Sequence, residues 1–271
     1  MAVVTLKKMG FGPDARGEIL IWEEPREDTE YIIGADVAQG STFGTAKQNA
    51  DLSTFCILRR DGMNLVQVAE ADYRCENYQF GQIISALGTW YNHAWVNVER
   101  NLAHGVIAGL KVSGYPTERW YIPPVQANVL ESNAGSYFFH KNISTQKVLL
   151  DTVLAYMDPQ APRLVLRSRE TLAEVASLQV DSAGRVNTNG KDRTIALAMA
   201  IIVDATTEVS LSPVKSDVQR NQKAPYGVDP EQWRQLHGIT KRTPQESDDA
   251  PDWEGASFDG LADWGPVSDA N

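Results

Sequence analysis

Residues 31–73 hold three β-type runs in succession, and that succession limits the possible folds more than any other feature of the chain. YIIGAD (31–36) is a short apolar run that ends in an acid. A loop rich in Gly, Ser, Thr and Asn follows, VAQGSTFGTAKQNAD (37–51). Then come LSTFCILRR (52–60) and NLVQVAEADY (64–73), separated by Asp61-Gly62. Asp-Gly between two β-type runs is a strong hairpin signal. Three strands joined this way pair antiparallel. One more strand, GEILIW (17–22), precedes them, followed by the polar stretch EEPREDTE.

After residue 75 the period changes. ENYQFGQIISALGTWYNH (76–93) has helical spacing, with Phe80, Ile83, Ile84 and Leu87 on one face. AWVNVE (94–99) reads as a short strand and LAHGVIAGLKVSG (102–114) as a helix stopped by Gly114. RWYIPPV (119–125) reads as a strand broken by two prolines. STQKVLLDTVLAYMD (144–158) reads as a helix with Ser144 as N-cap and Pro159 beyond its end. RLVLRS (163–168) reads as a strand, RETLAEVASLQV (169–180) as a helix and GRVNT (184–188) as a short strand or hairpin arm. DRTIALAMAIIVDAT (192–206) is a long apolar helix. Three antiparallel strands followed by alternating helices and strands specify an α/β fold, a mixed sheet with helices on both faces. We expect one domain over 1–207, with 1–30 as an approach segment.

Past about residue 208 the periodicity fades into a polar and then acidic tail (208–271). Residues 243–271 carry eight acids and no Lys or Arg, with Trp253, Phe258 and Trp264 spaced among them. That composition predicts disorder from about 243 in the free chain. It also changes the meaning of the net charge of −10: the tail accounts for −8, so residues 1–242 are nearly neutral at −2. The low overall charge therefore does not exclude a nucleic-acid partner. No apolar run approaches ~18 residues, so no membrane span is expected. The opening MAVVTLKKMGFG lacks the apolar core of a signal peptide, so a secreted protein is not expected. Cys56 and Cys75 have no metal-like spacing and read as reduced thiols.

Three acids stand where apolar runs start or stop: Asp36 after YIIGA, Glu99 after AWVNV and Asp192 before RTIALAMAIIV. Carboxylates are seldom buried without partners. A shared divalent cation is the simplest partner, and it points to metal-dependent phosphodiester chemistry with oxygen-ligated Mg²⁺ or Mn²⁺. Each acid also has a plain structural reading. Asp36 can cap a turn, Glu99 can pair with Arg100 at the surface, and Asp192 can be a helix N-cap. Asp51 reads as a turn residue or an auxiliary ligand, and His104 as structural or auxiliary. Lys141, Lys147, Lys191 and Arg193 are candidate phosphate contacts or solvated surface charges.

Four stretches resemble the C-terminal nuclease domain of the large terminase subunit of tailed bacteriophages, a member of the RNase H-like superfamily. They are YIIGADVAQG with Asp51, VNVERNLAHG, STQKVLL and GKDRTIALAMA, and the likeness spans roughly residues 17–206. The resemblance implies an RNase H-like fold and a two-metal-ion endonuclease that cuts double-stranded DNA with little sequence specificity during genome packaging. Its ligands would be Asp36, Glu99 and Asp192, with Asn101, Gly105 and Lys147 shaping the site or approaching DNA. It further implies the terminase ATPase domain, the small terminase subunit and the portal as partners, in the host cell cytoplasm. The family often has two aspartates before the last helix, whereas this chain has Lys191-Asp192. The chain has no G-x-x-x-x-G-K-[ST] loop, so the motor is expected on another domain or chain. Two alternatives stand beside it: an RNase H-like resolvase using the same ligands on branched DNA, and a docking module that binds a packaging partner through the acidic, Trp-bearing tail. GADVAQGST also bears a faint likeness to the phosphate loop of actin-like ATPases, without the second loop such a site needs.

Overall fold

A computed structural model describes residues 2–5, 16–38, 52–123, 137–180 and 186–207. The loop holding Asp51, the prolines of 123–124 in part, and the whole tail from 208 lie outside the described residues.

The expected hairpin is present. β4 (Ser53–Asp61) and β5 (Asn64–Arg74) pair antiparallel, with Asp61 opposite Asn64 and a two-residue loop between them. Gly62 opens that loop at φ 61°, the left-handed conformation that hairpin turns demand and glycine takes without strain. β3 (Tyr31–Asp36) pairs antiparallel with β4 and is buried along its whole length, as a central strand should be. β2 (Arg16–Ile21) pairs with the far side of β5, and β1 (Ala2–Thr5) extends the edge. The β1 strand was not expected.

α1 (Asn77–Trp90) then carries the chain back to β6 (Trp95–Val98), which lies parallel to β3 on its open side. The sheet order is β1-β2-β5-β4-β3-β6, antiparallel from β1 through β3 and closed by the parallel β6. α2 (His104–Val112) packs with α1 on one face of the sheet. The other face is covered by α3 (Ile143–Tyr156), α4 (Arg169–Ala176) and α5 (Asp192–Thr206). Between α3 and α4, β7 (Leu164–Val165) adds parallel to β5; β8 (Gln179–Val180) and β9 (Val186–Asn187) form a separate small ribbon.

Four expectations need correction. The helix expected over 169–180 stops at Ala176, and Gln179–Val180 pairs with Val186–Asn187 instead. The strand expected over 163–168 shrinks to β7, because the backbone amides of Arg167 and Ser168 turn to the side chain of Gln67 instead. The one expected over 119–125 reduces, in its described part, to a bridge between Trp120 and Val96, since Thr117–Arg119 forms a 3₁₀ turn. The N-cap of α3 is Asn142, not Ser144; Asn142 and Thr145 form a reciprocal capping box. Among the described residues no helix is long and apolar enough to cross a membrane.

α5 determines the geometry of the site. Residues Thr194 to Val203 are all buried, and the helix crosses β3 at Gly34 with almost no gap. A Cβ at residue 34 would lie 2.1 Å from the carbonyl oxygen of Ala196 and 2.2 Å from the amide nitrogen of Ala200. Only glycine permits that approach. Asn97 of β6 adds a tie, donating to the Met199 carbonyl at 2.8 Å and accepting from the Phe139 amide at 3.0 Å.

Candidate active site

Alternation along β3 decides which residues face α5. Gly34 faces it, so Asp36, two residues on, faces it too. On β6, Asn97 faces α5 and Glu99 follows by the same rule. The parallel register sets Ala35 opposite Val98, and the Glu99 amide donates to the Ala35 carbonyl at 2.9 Å. Asp36 and Glu99 thus stand side by side at the C-terminal ends of neighbouring strands. Asp192 is the first residue of α5, one turn before Ala196 and on the same side, so it hangs over the same edge. The N-cap position belongs to Lys191, not Asp192, and Lys191 makes no side-chain cap.

Asp36 and Glu99 are 8% and 7% exposed, so their charges meet little water. Burial pushes the Asp36 carboxyl well above its ordinary range, a shared hydrogen bond with Glu99 pushes it further, and the Glu99 and Asp192 charges add to the rise. Lys141 opposes it. Its ammonium lies 2.7 Å from Glu99 Oε2. Burial disfavours that ammonium, but Asp36 and Glu99 outweigh the penalty and hold its pKa above the usual lysine value. Asn101 completes the shell, donating from Nδ2 to Glu99 Oε1 and to the Lys141 carbonyl, both at 2.9 Å.

Lys141 is brought there by the segment 137–141, which runs along β6. Phe139 bridges to Glu99, and the Arg100 amide donates to the Phe139 carbonyl at 3.0 Å. Phe138 is buried at φ 68°, costly for an aromatic residue. Its ring stacks on Trp120 at 5.6 Å between centroids, and its amide donates to the Tyr121 carbonyl at 2.9 Å.

The donor set is all oxygen, the chemistry that hard cations such as Mg²⁺ and Mn²⁺ take. Burial with a surplus of negative charge favours such an ion. Among the described residues, however, no three His, Cys, Asp or Glu side chains gather closely enough to hold an ion as they stand. Asp36 and Glu99 meet directly, while Asp192 acts on them through its charge.

The remaining candidates scatter. His104 opens α2 and is exposed. Gly105 abuts Asn77 of α1, where a Cβ would meet Asn77 Cβ at 2.7 Å. Lys147 pairs with Asp151 on the exposed side of α3 at 2.8 Å. Lys191 reaches Ser177 Oγ at 2.5 Å. Arg193 is not turned toward solvent as a phosphate contact would be. Its guanidinium points inward to Glu70 and Asp72, with Glu174 Oε1 3.9 Å away. Glu99 takes Lys141 as an ion-pair partner.

Glu70, only 1% exposed, is the residue that sequence reasoning missed. It accepts from Gln67 Nε2 and Ser168 Oγ, each at 2.8 Å, and from Thr171 Oγ1. A β-bulge opposite Ile57 turns Gln67 to the same face as Glu70. The polar row of β5 that looks like a solvated face is in fact covered by α4 and α5.

No family model matches the chain, and no curated protein matches it either. Several solved structures are similar. One is the large terminase nuclease from thermophilic phage G20c with bound magnesium: identity is 18%, TM-score 0.49, and the match covers 68% of this chain and 86% of that one. The same nuclease with bound cobalt gives 18% and 0.47, again over 68% and 86%. With bound zinc it gives 21% and 0.45 over 67% and 85%. In fold, the chain is similar to these phage large-terminase nuclease structures.

Proposed function

We propose that this chain is a divalent-metal-dependent endonuclease that cuts double-stranded DNA, with little sequence specificity, during phage genome packaging. The observation that carries the reading is the pairing of Asp36 and Glu99, buried in contact at the ends of adjacent parallel strands, with Asp192 facing them from α5. Buried like charges cost stability, and a site that keeps them needs a chemical reason. The sequence resemblance in the same segments supplies one.

In this reading Asp36, Glu99 and Asp192 would hold two Mg²⁺ or Mn²⁺ ions. When bound, such ions lower the pKa of an attacking water and stabilise the leaving 3′ oxygen. The protein groups do the positioning. Asn101 fixes the rotamer of Glu99 through the contact at Oε1. Asp192 is held by a helix whose own position is locked at Gly34. Lys147 lies on the exposed surface of α3 and half-buried Lys191 stands at the N-cap of α5; each can meet the phosphate backbone in exchange for its local partner. Backbone contacts carry affinity without reading bases, hence the low specificity. The ATPase domain, small terminase subunit and portal are the proposed partners, with the host cytoplasm as the setting.

The test is plasmid cleavage in Mn²⁺ by the wild type and Asp36→Asn. Cutting should fall at least about a hundredfold in the variant, more than the loss of an outer-shell group causes. Undiminished cutting removes Asp36 from the mechanism and the reading with it. Parallel assays on a four-way junction and a linear duplex separate this activity from a resolvase.

A further inference from the structure

We propose that Lys141 is a built-in competitor of the divalent cation: its ammonium occupies the Asp36–Glu99 pair in the metal-free protein and must leave that pair for an ion to enter. This rests on the metal-holding role assigned above to Asp36, Glu99 and Asp192.

Both oxygens of Glu99 are already engaged, Oε2 by the Lys141 ammonium at 2.7 Å and Oε1 by Asn101 at 2.9 Å. The charges of Asp36 and Asp192 act on the same ammonium. A metal ion needs those oxygen lone pairs at bonding distance. It also cannot share a poorly hydrated pocket with a lysine cation without strong repulsion. The two cations are therefore alternatives.

The backbone that carries Lys141 is fixed on both sides. Before it, Phe138 and Phe139 are tied to the Tyr121 carbonyl and to Asn97 Oδ1. After it, Asn142 caps α3. The Lys141 carbonyl itself is held by Asn101. Only the side chain can give way. Its four-carbon stem is flexible, and a fifth of it is already exposed, which leaves a path outward. Swung out, the ammonium would rest at the rim, where the phosphate of a bound strand would lie. The metal-free site is then held together by the protein's own cation, and ion entry is opposed until that cation has another anion to pair with.

The test is Mn²⁺ binding to the full, metal-free chain without DNA, read from the loss of the free-ion electron paramagnetic resonance signal. Four variants are compared with the wild type: Lys141→Met, Lys141→Gln, Lys141→Arg and Asp36→Asn. Circular dichroism identifies which of them are folded, and Lys141→Gln serves if the methionine variant is not. The neutral variants should bind Mn²⁺ about tenfold more tightly or better, because they remove a competing charge. Lys141→Arg should restore the weak binding of the wild type, an effect that mere loss of packing would not produce. If Asp36→Asn abolishes binding while Lys141→Met and Lys141→Gln bind no better than the wild type, the competitor role is overturned and the metal site stands. If none of the proteins binds Mn²⁺, or if Asp36→Asn binds unchanged, the metal-holding reading falls and the Lys141 proposal falls with it.

Discussion

The acids and cations of the site behave differently at the level of single residues, and sequence showed only the first kind. Asp36 and Glu99 were legible as buried strand-end acids because each ends a run that must be buried. Lys141 was legible as a cation but not as the partner of Glu99, because 42 positions separate them and no period connects them. Arg193 misled for the same reason: in the first turn of a helix it resembles a surface charge, yet its partners lie on β5. Two outcomes follow. The folded-state pKa of Asp36 lies above its unfolded value, so folding favours the protonated form. Metal-free stability should therefore decline as pH rises from the ordinary carboxylate range through the raised value, and stay low above it. Asp36→Asn should melt higher than the wild type in EDTA at pH 8, by roughly 1–2 kcal/mol, and lose that advantage below the ordinary carboxylate range. Thermal melts across pH check this; equal melting at pH 8 counts against it. Arg193→Met should cost about 3–5 kcal/mol by leaving buried Glu70 without its cation, and half-buried Asp72 with it. The salt slope of DNA binding should stay unchanged, whereas loss of a true phosphate contact would reduce it by about one.

At the level of elements, most segments with one clear period were read correctly, short strands such as Tyr31–Asp36 and Trp95–Val98 included. α5 spans the expected 192–206, and α1 buries the expected face of Phe80, Ile83, Ile84 and Leu87. The errors fall where a side chain outcompetes the local pattern: Gln67 takes the amides that would have extended β7, and Asn142 takes the cap expected of Ser144. The row Thr54, Glu70, Asp72 went unnoticed in the sequence for a related reason. Alternation identifies two faces but not which of them a later helix will cover. The contact between α5 and β3 is the element most exposed to a small change. Gly34→Ala should cost about 3 kcal/mol or more, since the added methyl meets rigid backbone and not a movable side chain. Urea denaturation measures it; a loss under 1 kcal/mol would mean that the helix shifts easily. A shift of that kind should still appear as reduced cleavage.

Across the whole molecule, α5 links two charged ends. Its first residue faces the carboxylate pair; its last turn enters a second ionic group at the opposite edge of the sheet. There Asp204 accepts from Arg60 Nε and from the Tyr156 hydroxyl, each at 2.7 Å, while Thr206 and the Tyr121 hydroxyl share a hydrogen bond of the same length. Asp204 and Arg60 are both nearly enclosed. Asp204→Ala should lower stability by about 1–3 kcal/mol, since it leaves the Tyr156 hydroxyl without its acceptor while Arg60 keeps Glu30, and chemical denaturation will register it. The same change should slow cutting in the fraction that remains folded, although the substitution lies far from the chemistry. Fifteen residues make a rod about 22 Å long, and its crossing over Gly34 sits nearer one tip than the other. A tilt of about 10° there would swing the acidic tip by roughly 1.5 Å, and errors of 1 Å at a reacting centre can cost on the order of a hundredfold in rate. The far end of this lever thus sets the aim of the near one.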